Sequence, residues 1–180
     1  IDDAIGESFD KVGKLVGLEY PGGPLLEKLA VRGNPNFYEL PHPLKLKKNL
    51  DFSFSGIKTA VSTLIKNKKK ISEKNKRDIA ASFQNKIIEI LSRKIILSMN
   101  HIKKNNYEIN DVCLVGGVAA NKKIGLSLNK LIKKYNCKLI TPPKKLCGDN
   151  AVIIANVCLN HYKLNIKPDL DFKADPRLII

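Results

Sequence analysis

Val112-Cys113-Leu114-Val115 runs into Gly116-Gly117, and Asn121 follows shortly after. The apolar, β-branched run predicts a buried strand over 111–116, and a helical pattern (Ile124, Leu128, Leu131, Ile132) picks up from Ala119. A glycine pair at that junction lets backbone approach a ligand with no Cβ in the way. Open α/β sheets keep their ligands at this end of the strand. Asn121 could offer its amide to a sugar hydroxyl or a base, although the same pattern also serves as plain turn chemistry. Asp10, at the edge of an apolar helical face, could reach a ligand or could simply be solvated. Gly22-Gly23 precede a helix whose first position suits Pro24, where an anionic or hydroxylated ligand could enter. Glu27 lies one turn further in, and a bare turn is the competing reading. Asp149 stands before the last helical pattern. It is either that helix's cap or a carboxylate aimed into a cleft as a metal ligand.

Helices must position most of these groups. Residues 3–16 place Ile5, Phe9, Val12 and Val16 on one face, and Gly17 is a plausible stop. A second helix is expected over 24–31. Residues 34–48, with three prolines, read as a surface loop with a short extended piece at 37–40. The alternating Asp51-Phe52-Ser53-Phe54-Ser55-Gly56 predicts a short strand entering a turn, then a helix over 57–66. A charge-rich loop over 66–76 leads to the longest pattern, 78–103. There Ile79, Phe83, Ile87, Ile90, Leu91, Ile95 and Met99 form a continuous stripe. Gln84 and Asn85, near its start, could be functional, and the competing reading is plain surface polar positions. A short strand follows at 137–140. The last helix is expected to turn Ala151, Ile154, Ala155, Cys158 and Leu159 inward.

Composition narrows the partners. The formal charge is +15, which suggests a polyanion such as RNA. Yet only four of the 32 basic residues are arginine, and lysine lacks the planar fork that suits phosphate. Abundant Lys, Asn and Ile also fit the coding bias of an AT-rich genome. Four dispersed cysteines form no close metal or redox pair and read as buried free thiols in a reducing cytoplasm. No apolar run reaches the ~18 residues of a membrane span. His42, His101 and His161 form no helix-spaced ligand pair, and no His-Glu-x-x-His helix supports a protease. The chain starts at Ile1 without a signal-peptide pattern or a Met, so it reads as part of something longer.

Six stretches, in this order, resemble the tRNA threonylcarbamoyladenosine transferase family, formerly mislabelled as glycoproteases. They are Asp2-Asp3-Ala4-Ile5-Gly6-Glu7-Ser8-Phe9-Asp10-Lys11, Tyr20-Pro21-Gly22-Gly23-Pro24 and Phe52-Ser53-Phe54-Ser55-Gly56-Ile57-Lys58-Thr59. Ile79-Ala80-Ala81-Ser82-Phe83-Gln84, Gly116-Gly117-Val118-Ala119-Ala120-Asn121 and Leu146-Cys147-Gly148-Asp149-Asn150 complete the set. The resemblance implies an α/β fold: a helix-rich lobe of an actin-like, Hsp70-like, sugar-kinase-like architecture, lacking its N-terminal lobe. Residues 1–180 would be one folded unit. The implied reaction moves a threonylcarbamoyl group from its adenylate to the exocyclic amine of the adenosine beside the anticodon.

The resemblance carries binding roles to Asp10 (ribose), Gly23, Glu27 and Asn121, and a metal-ligand role to Asp149. It assigns no catalytic residue. The implied cofactors are an adenylate or ATP-type nucleotide and one divalent ion, iron or zinc, shared with the missing half. The implied partners are tRNA, a paralogous actin-like-fold protein and a small ATPase, in the cytoplasm and away from membranes. The family's paired metal-binding histidines and glycine-rich phosphate loop have no counterpart here, and Gly148 replaces a usual Thr or Ser. An actin-like ATPase or small-molecule kinase, or a non-catalytic remnant or scaffold lobe, are the rival expectations.

Overall fold

Gly17 ends the first helix, as its place in the pattern predicts. The computed structural model describes residues 3–67 and 70–167. Helix α1 spans Ile5–Leu15. Gly17 adopts φ +83°, its N–H donates to the Lys14 carbonyl at 3.1 Å, and Leu18 N–H reaches back to Gly13 at 2.9 Å. This left-handed stop satisfies two otherwise orphaned helix carbonyls. Phe9, Val12 and Val16 are buried, as the spacing requires.

Helix α2, Gly22–Ala30, starts two residues before Pro24. It can do so because α1 and α2 touch through glycine. A Cβ at Gly13 would lie 2.9 Å from Gly22 Cα, and one at Gly22 would lie 3.1 Å from the Asp10 carbonyl oxygen. Gly22 therefore admits a neighbouring helix rather than a ligand.

Helix α3, Ser55–Lys66, begins where a strand was expected to end. Residues 51–54 join no ladder, because the two strands of the described residues pair only with each other. Alternation there serves packing instead: Phe54 is buried and Phe52 stacks on it at 5.8 Å between ring centroids. Residues 37–40, where a short extended piece was expected, form a bend at 37–38 and carry no regular structure at 39–40.

Helix α4, Glu73–Lys104, is the axis of the molecule. It starts earlier than its apolar stripe does because Ser72 caps it, the hydroxyl accepting from Asn75 N–H at 3.1 Å. Seven consecutive residues, Asp78 to Gln84, are buried, so this part of the helix is enclosed on every side. The segment over 34–50 is tied down by polar groups of α4 and is more than a loose surface loop. Asn34 N–H donates to Asp78 Oδ1 at 2.8 Å, Tyr38 N–H to Ser82 Oγ at 3.1 Å, and the buried Lys94 ammonium to the Asn49 carbonyl at 2.7 Å.

Strand β1, Asp111–Cys113, pairs in parallel with β2, Lys138–Ile140, in the register Val112 to Leu139. Between them runs α5, Lys122–Ile132, which buries Ile124, Leu128 and Ile132. The expectation of a buried strand over 111–116 fails here. Val112, Leu114 and Leu139 pack partly against the core, but Asp111, Cys113, Val115, Lys138 and Ile140 are exposed. Only one face of the pair is covered among the described residues, and an apolar run does not specify what will cover it.

The last helix, α6 at Ala151–Lys163, also departs from expectation. Ala151, Ile154, Ala155, Cys158 and Leu159, expected inward, are all exposed. All four cysteines are free, but only Cys137 and Cys147 are buried. No helix among the described residues is long and apolar enough to cross a membrane.

An ion cluster ties α1 to α3. Asp3 meets Lys11 at 2.8 Å and Lys58 at 2.7 Å, and Lys11 also meets Glu7 at 2.6 Å. Hydrogen bonds from Lys11 and then Lys58 hold the Asp3 carboxyl below its ordinary value. A lowered folded-state value stabilises the fold above the unfolded pKa, and that contribution is lost as pH falls through the folded value. The thermal midpoint of the wild type should therefore exceed that of Asp3→Asn near neutral pH. The gap should close on acidification below about pH 4, the ordinary range of a carboxyl. Midpoints followed by circular dichroism across pH check this, and a pH-independent gap would contradict it.

Candidate functional site

Asp10, Gly23, Glu27 and Asn121, scattered over more than a hundred residues of sequence, line one cavity of about 370 Å³. That size lies in the range of small-molecule sites, roughly 300–1,000 Å³. Phe9, Pro21, Pro24, Val118 and Ala120 supply apolar wall, and Gly117 and Gly148 open its edges.

Each polar group is held by the elements that meet there. Asp10 leaves α1 and accepts from Gly23 N–H through Oδ1 at 2.9 Å, fixing α1 to the start of α2. Glu27 leaves α2 and accepts from Lys122 N–H through Oε1 at 2.7 Å. Asn121 is the N-cap of α5, its Oδ1 accepting from Ile124 N–H at 3.0 Å. Glu27 and Asn121 thus satisfy the first free N–H groups of the same helix. That helix begins at Lys122 rather than Ala119, because Gly117–Ala120 form a tight 3-10 turn first.

The expected glycine pair behaves as the chemistry suggested. Gly116 has φ +81°, and a Cβ at Gly116 or Gly117 would meet nothing within 4 Å. Gly116 is glycine for its backbone angle, and the space above the turn is open. A Cβ at Gly23 would make only ordinary contact, 3.7 Å from Asp10 Oδ1. Gly23 therefore matters for its N–H rather than for tight packing.

One residue behind the wall and one on it carry roles that sequence reading did not assign. Gln84, expected at the surface, is buried, and its Oε1 accepts from Asn121 Nδ2 at 2.9 Å. The signal was available: Gln84 lies four residues after Ala80 and three before Ile87, both on the buried stripe of α4. Lys144 lines the cavity and is the one cationic wall residue among the described residues, in the same lining as the carboxylates of Asp10 and Glu27.

Asp149 is exposed and stands beside Gly148 at the cavity edge. Asn150, not Asp149, caps α6, accepting from Ile153 N–H at 3.2 Å. Asp149 is therefore free of the capping role. No group of three or more His, Cys, Asp or Glu side chains among the described residues could hold a metal ion. A hard divalent cation takes about six or more oxygen ligands. The donors gathered on this chain do not make a complete centre.

The comparisons agree with one another. A profile of tRNA N6-adenosine threonylcarbamoyltransferase (TsaD) matches residues 1–156. A protein of that name from Pelagibacter ubique (strain HTCC1062) is 48% identical over 98% of this chain and 49% of its own length. One from Rickettsia massiliae (strain Mtu5) is 46% identical over 96% of this chain and 51% of its own. One from Thermosipho africanus (strain TCF52B) is 41% identical over the whole chain and 53% of its own. The chain spans about half the length of the curated relatives it matches.

Proposed function

Because the chain belongs to the tRNA N6-adenosine threonylcarbamoyltransferase family, we propose that it forms the nucleotide-holding part of an enzyme that modifies tRNA. The group transferred is threonylcarbamoyl, the donor its adenylate, and the acceptor the exocyclic amine of the adenosine next to the anticodon. In that transfer a bond forms from the amine nitrogen to the carbamoyl carbon. The bond from that carbon to the phosphate oxygen breaks, and the nucleoside monophosphate leaves. The meeting of Asp10, Gly23, Glu27 and Asn121 at one cavity supports this reading most directly.

The roles follow from what each group has left to offer. Asp10 and Glu27 each commit one oxygen to backbone N–H, which fixes the carboxylate and leaves the other oxygen to accept from ribose hydroxyls. Asn121 uses its carbonyl on α5 and one amide hydrogen on Gln84, so it acts as a rigid wall with one amide hydrogen to spare. The open turn at Gly116-Gly117 and the apolar wall of Phe9 and Val118 leave room for a planar base. Asp149 would supply one ligand to a divalent metal whose other ligands lie outside this chain. When bound, such an ion would polarise a carbonyl or hold a phosphate. We assign tRNA as a partner on the family's chemistry and on the +15 charge. A paralogous actin-like-fold protein and a small ATPase belong to the same proposal, as does a cytoplasmic location.

AMP binding to the 180-residue chain, measured by titration calorimetry, tests the cavity assignment. Asp10→Ala should weaken binding by about 1–3 kcal/mol, the worth of a hydrogen bond to a charged group. Equal affinity in both proteins would overturn the ribose role of Asp10.

A further inference from the structure

Residues 112–148 hold eight lysines and not one aspartate or glutamate, although the chain has 17 acidic residues. A coding bias toward lysine would not clear acids from one stretch and leave them in the rest. The fold turns these lysines outward. Lys122, Lys123 and Lys130 lie on the side of α5 opposite the buried Ile124, Leu128 and Ile132. Lys133 and Lys134 follow in the tight turn that ends the helix, Lys138 opens β2, and Lys144 and Lys145 begin the turn after it. All eight are exposed. Lys11, Lys58, Lys76 and Lys86 each meet a carboxylate, but none of these eight ammonium groups does so among the described residues. From Lys122 to Lys134 the row runs about 18 Å. Beside it lies a groove of about 400 Å³, between Lys122, Gly125 and Asn129 of α5 and Thr141, Pro142 and Lys144 after β2. That groove shares Ala120, Asn121 and Lys144 with the cavity of Asp10 and Glu27.

We propose that this lysine face is the surface by which the chain grips RNA. Its ammonium groups neutralise successive phosphates of one strand, and the groove leads that strand to the edge of the cavity. The inference rests on the tRNA reading above for the identity of the strand, and adds to it the surface that holds the strand. A row of unpaired positive charge gains most from a polyanion, whose condensed counterions it releases. A protein core is a poor cover for such a row, since it would strand the charges away from water. A groove beside the row suits a strand, whereas an anionic membrane presents a plane. Lysine is a point charge without the planar fork that pairs with base edges. The face therefore fixes where the strand lies without choosing its sequence. Selection of the adenosine falls to groups elsewhere.

Fluorescence anisotropy of a labelled RNA hairpin, with the stem and loop of a tRNA anticodon arm, tests this on the 180-residue chain. For the wild type, the slope of log affinity on log salt should be about −3 or steeper, at roughly 0.7–0.9 per phosphate neutralised. The triple variant Lys130→Gln, Lys133→Gln, Lys134→Gln keeps about the helix propensity of lysine. It should bind the hairpin about tenfold or more weakly at about 0.1 M salt, with a slope shallower by about 2. The triple variant Lys14→Gln, Lys47→Gln, Lys48→Gln, at exposed lysines of other segments, makes the same change in net charge. It should cost less than about threefold, because salt screens charges distant from the strand. AMP affinity should be the same in the first variant and the wild type, since none of its three positions lines the cavity. Equal loss in the two variants would overturn the proposal, as would an unchanged slope in the first or a wild-type slope near zero. Polyglutamate that competes as well as unlabelled hairpin would overturn it too, by assigning the face to an acidic protein. A wild type that shows the lysine dependence but binds no AMP would count against the nucleotide cavity and uphold the RNA face.

Discussion

Gly33→Ala should cost about 3 kcal/mol or more, at or beyond the top of the usual range for overpacking. The added methyl would stand 2.0 Å from the Arg77 carbonyl oxygen, 2.4 Å from its carbon and 2.9 Å from Ala81 Cβ. None of these is the free end of a flexible side chain. Two belong to the backbone of α4, near the start of its fully enclosed stretch. Relief requires moving α4 or pulling Gly33 away, and the second option is opposed by the next residue. Asn34 N–H is bonded to the buried Asp78, so withdrawal leaves that carboxylate without its backbone donor. Domains of this size have only about 5–15 kcal/mol in total. Urea unfolding followed by far-ultraviolet circular dichroism measures the loss. A change within about 0.5 kcal/mol, typical of an ordinary surface site, would show that Gly33 and α4 do not meet as described.

Phe83→Ala should be comparably severe, about 3–5 kcal/mol, the cost of removing a buried aromatic ring. Phe83 is fully buried and meets Phe9 edge-to-face, with ring centroids 5.0 Å apart at 74°. Phe9 in turn lines the cavity beside Asp10. Loss of the ring therefore empties the core and removes the support behind the cavity wall. Phe83→Leu keeps most of the volume and should cost less than about 1.5 kcal/mol. Urea midpoints for the two variants, with AMP titration of the Leu variant, separate packing from site geometry. An alanine variant as stable as the leucine variant would contradict the packing described.

Local signals in the sequence were read well where they depend on near neighbours. Gly17 as a left-handed stop, the stripe of α4 and the Gly116 turn all follow from a few adjacent residues. Candidate site residues were legible as residue types, and the structure brings four of them to one cavity. Tertiary partners were not legible. The period of residues 151–159 marks a helix but cannot say what it packs against, so its apolar side was expected to face inward. The run Val112 to Val115 specifies an apolar strand without specifying whether one face or two will be covered. Gln84 was missed because polarity was weighed above its position on a buried stripe. Residues 34–48 were read as a surface loop because the groups that pin this segment and the adjoining Asn49, namely Asp78, Ser82 and Lys94, lie far away in sequence.

Helix α5 begins on a group that does not belong to it. Glu27, 95 residues earlier in the chain, holds the Lys122 N–H from across the cavity. The order of the first turn of α5 and the charge distribution at the cavity are thus two readings of one carboxylate. A ligand that draws Glu27 toward itself loosens that turn, and a ligand that accepts its fixed position leaves the turn closed. By thermodynamic reciprocity, whatever steadies α5 also sets how strongly the cavity holds its guest. Occupancy of the site is therefore readable at a distance, in how fast the Lys122 and Lys123 amides trade their protons with water.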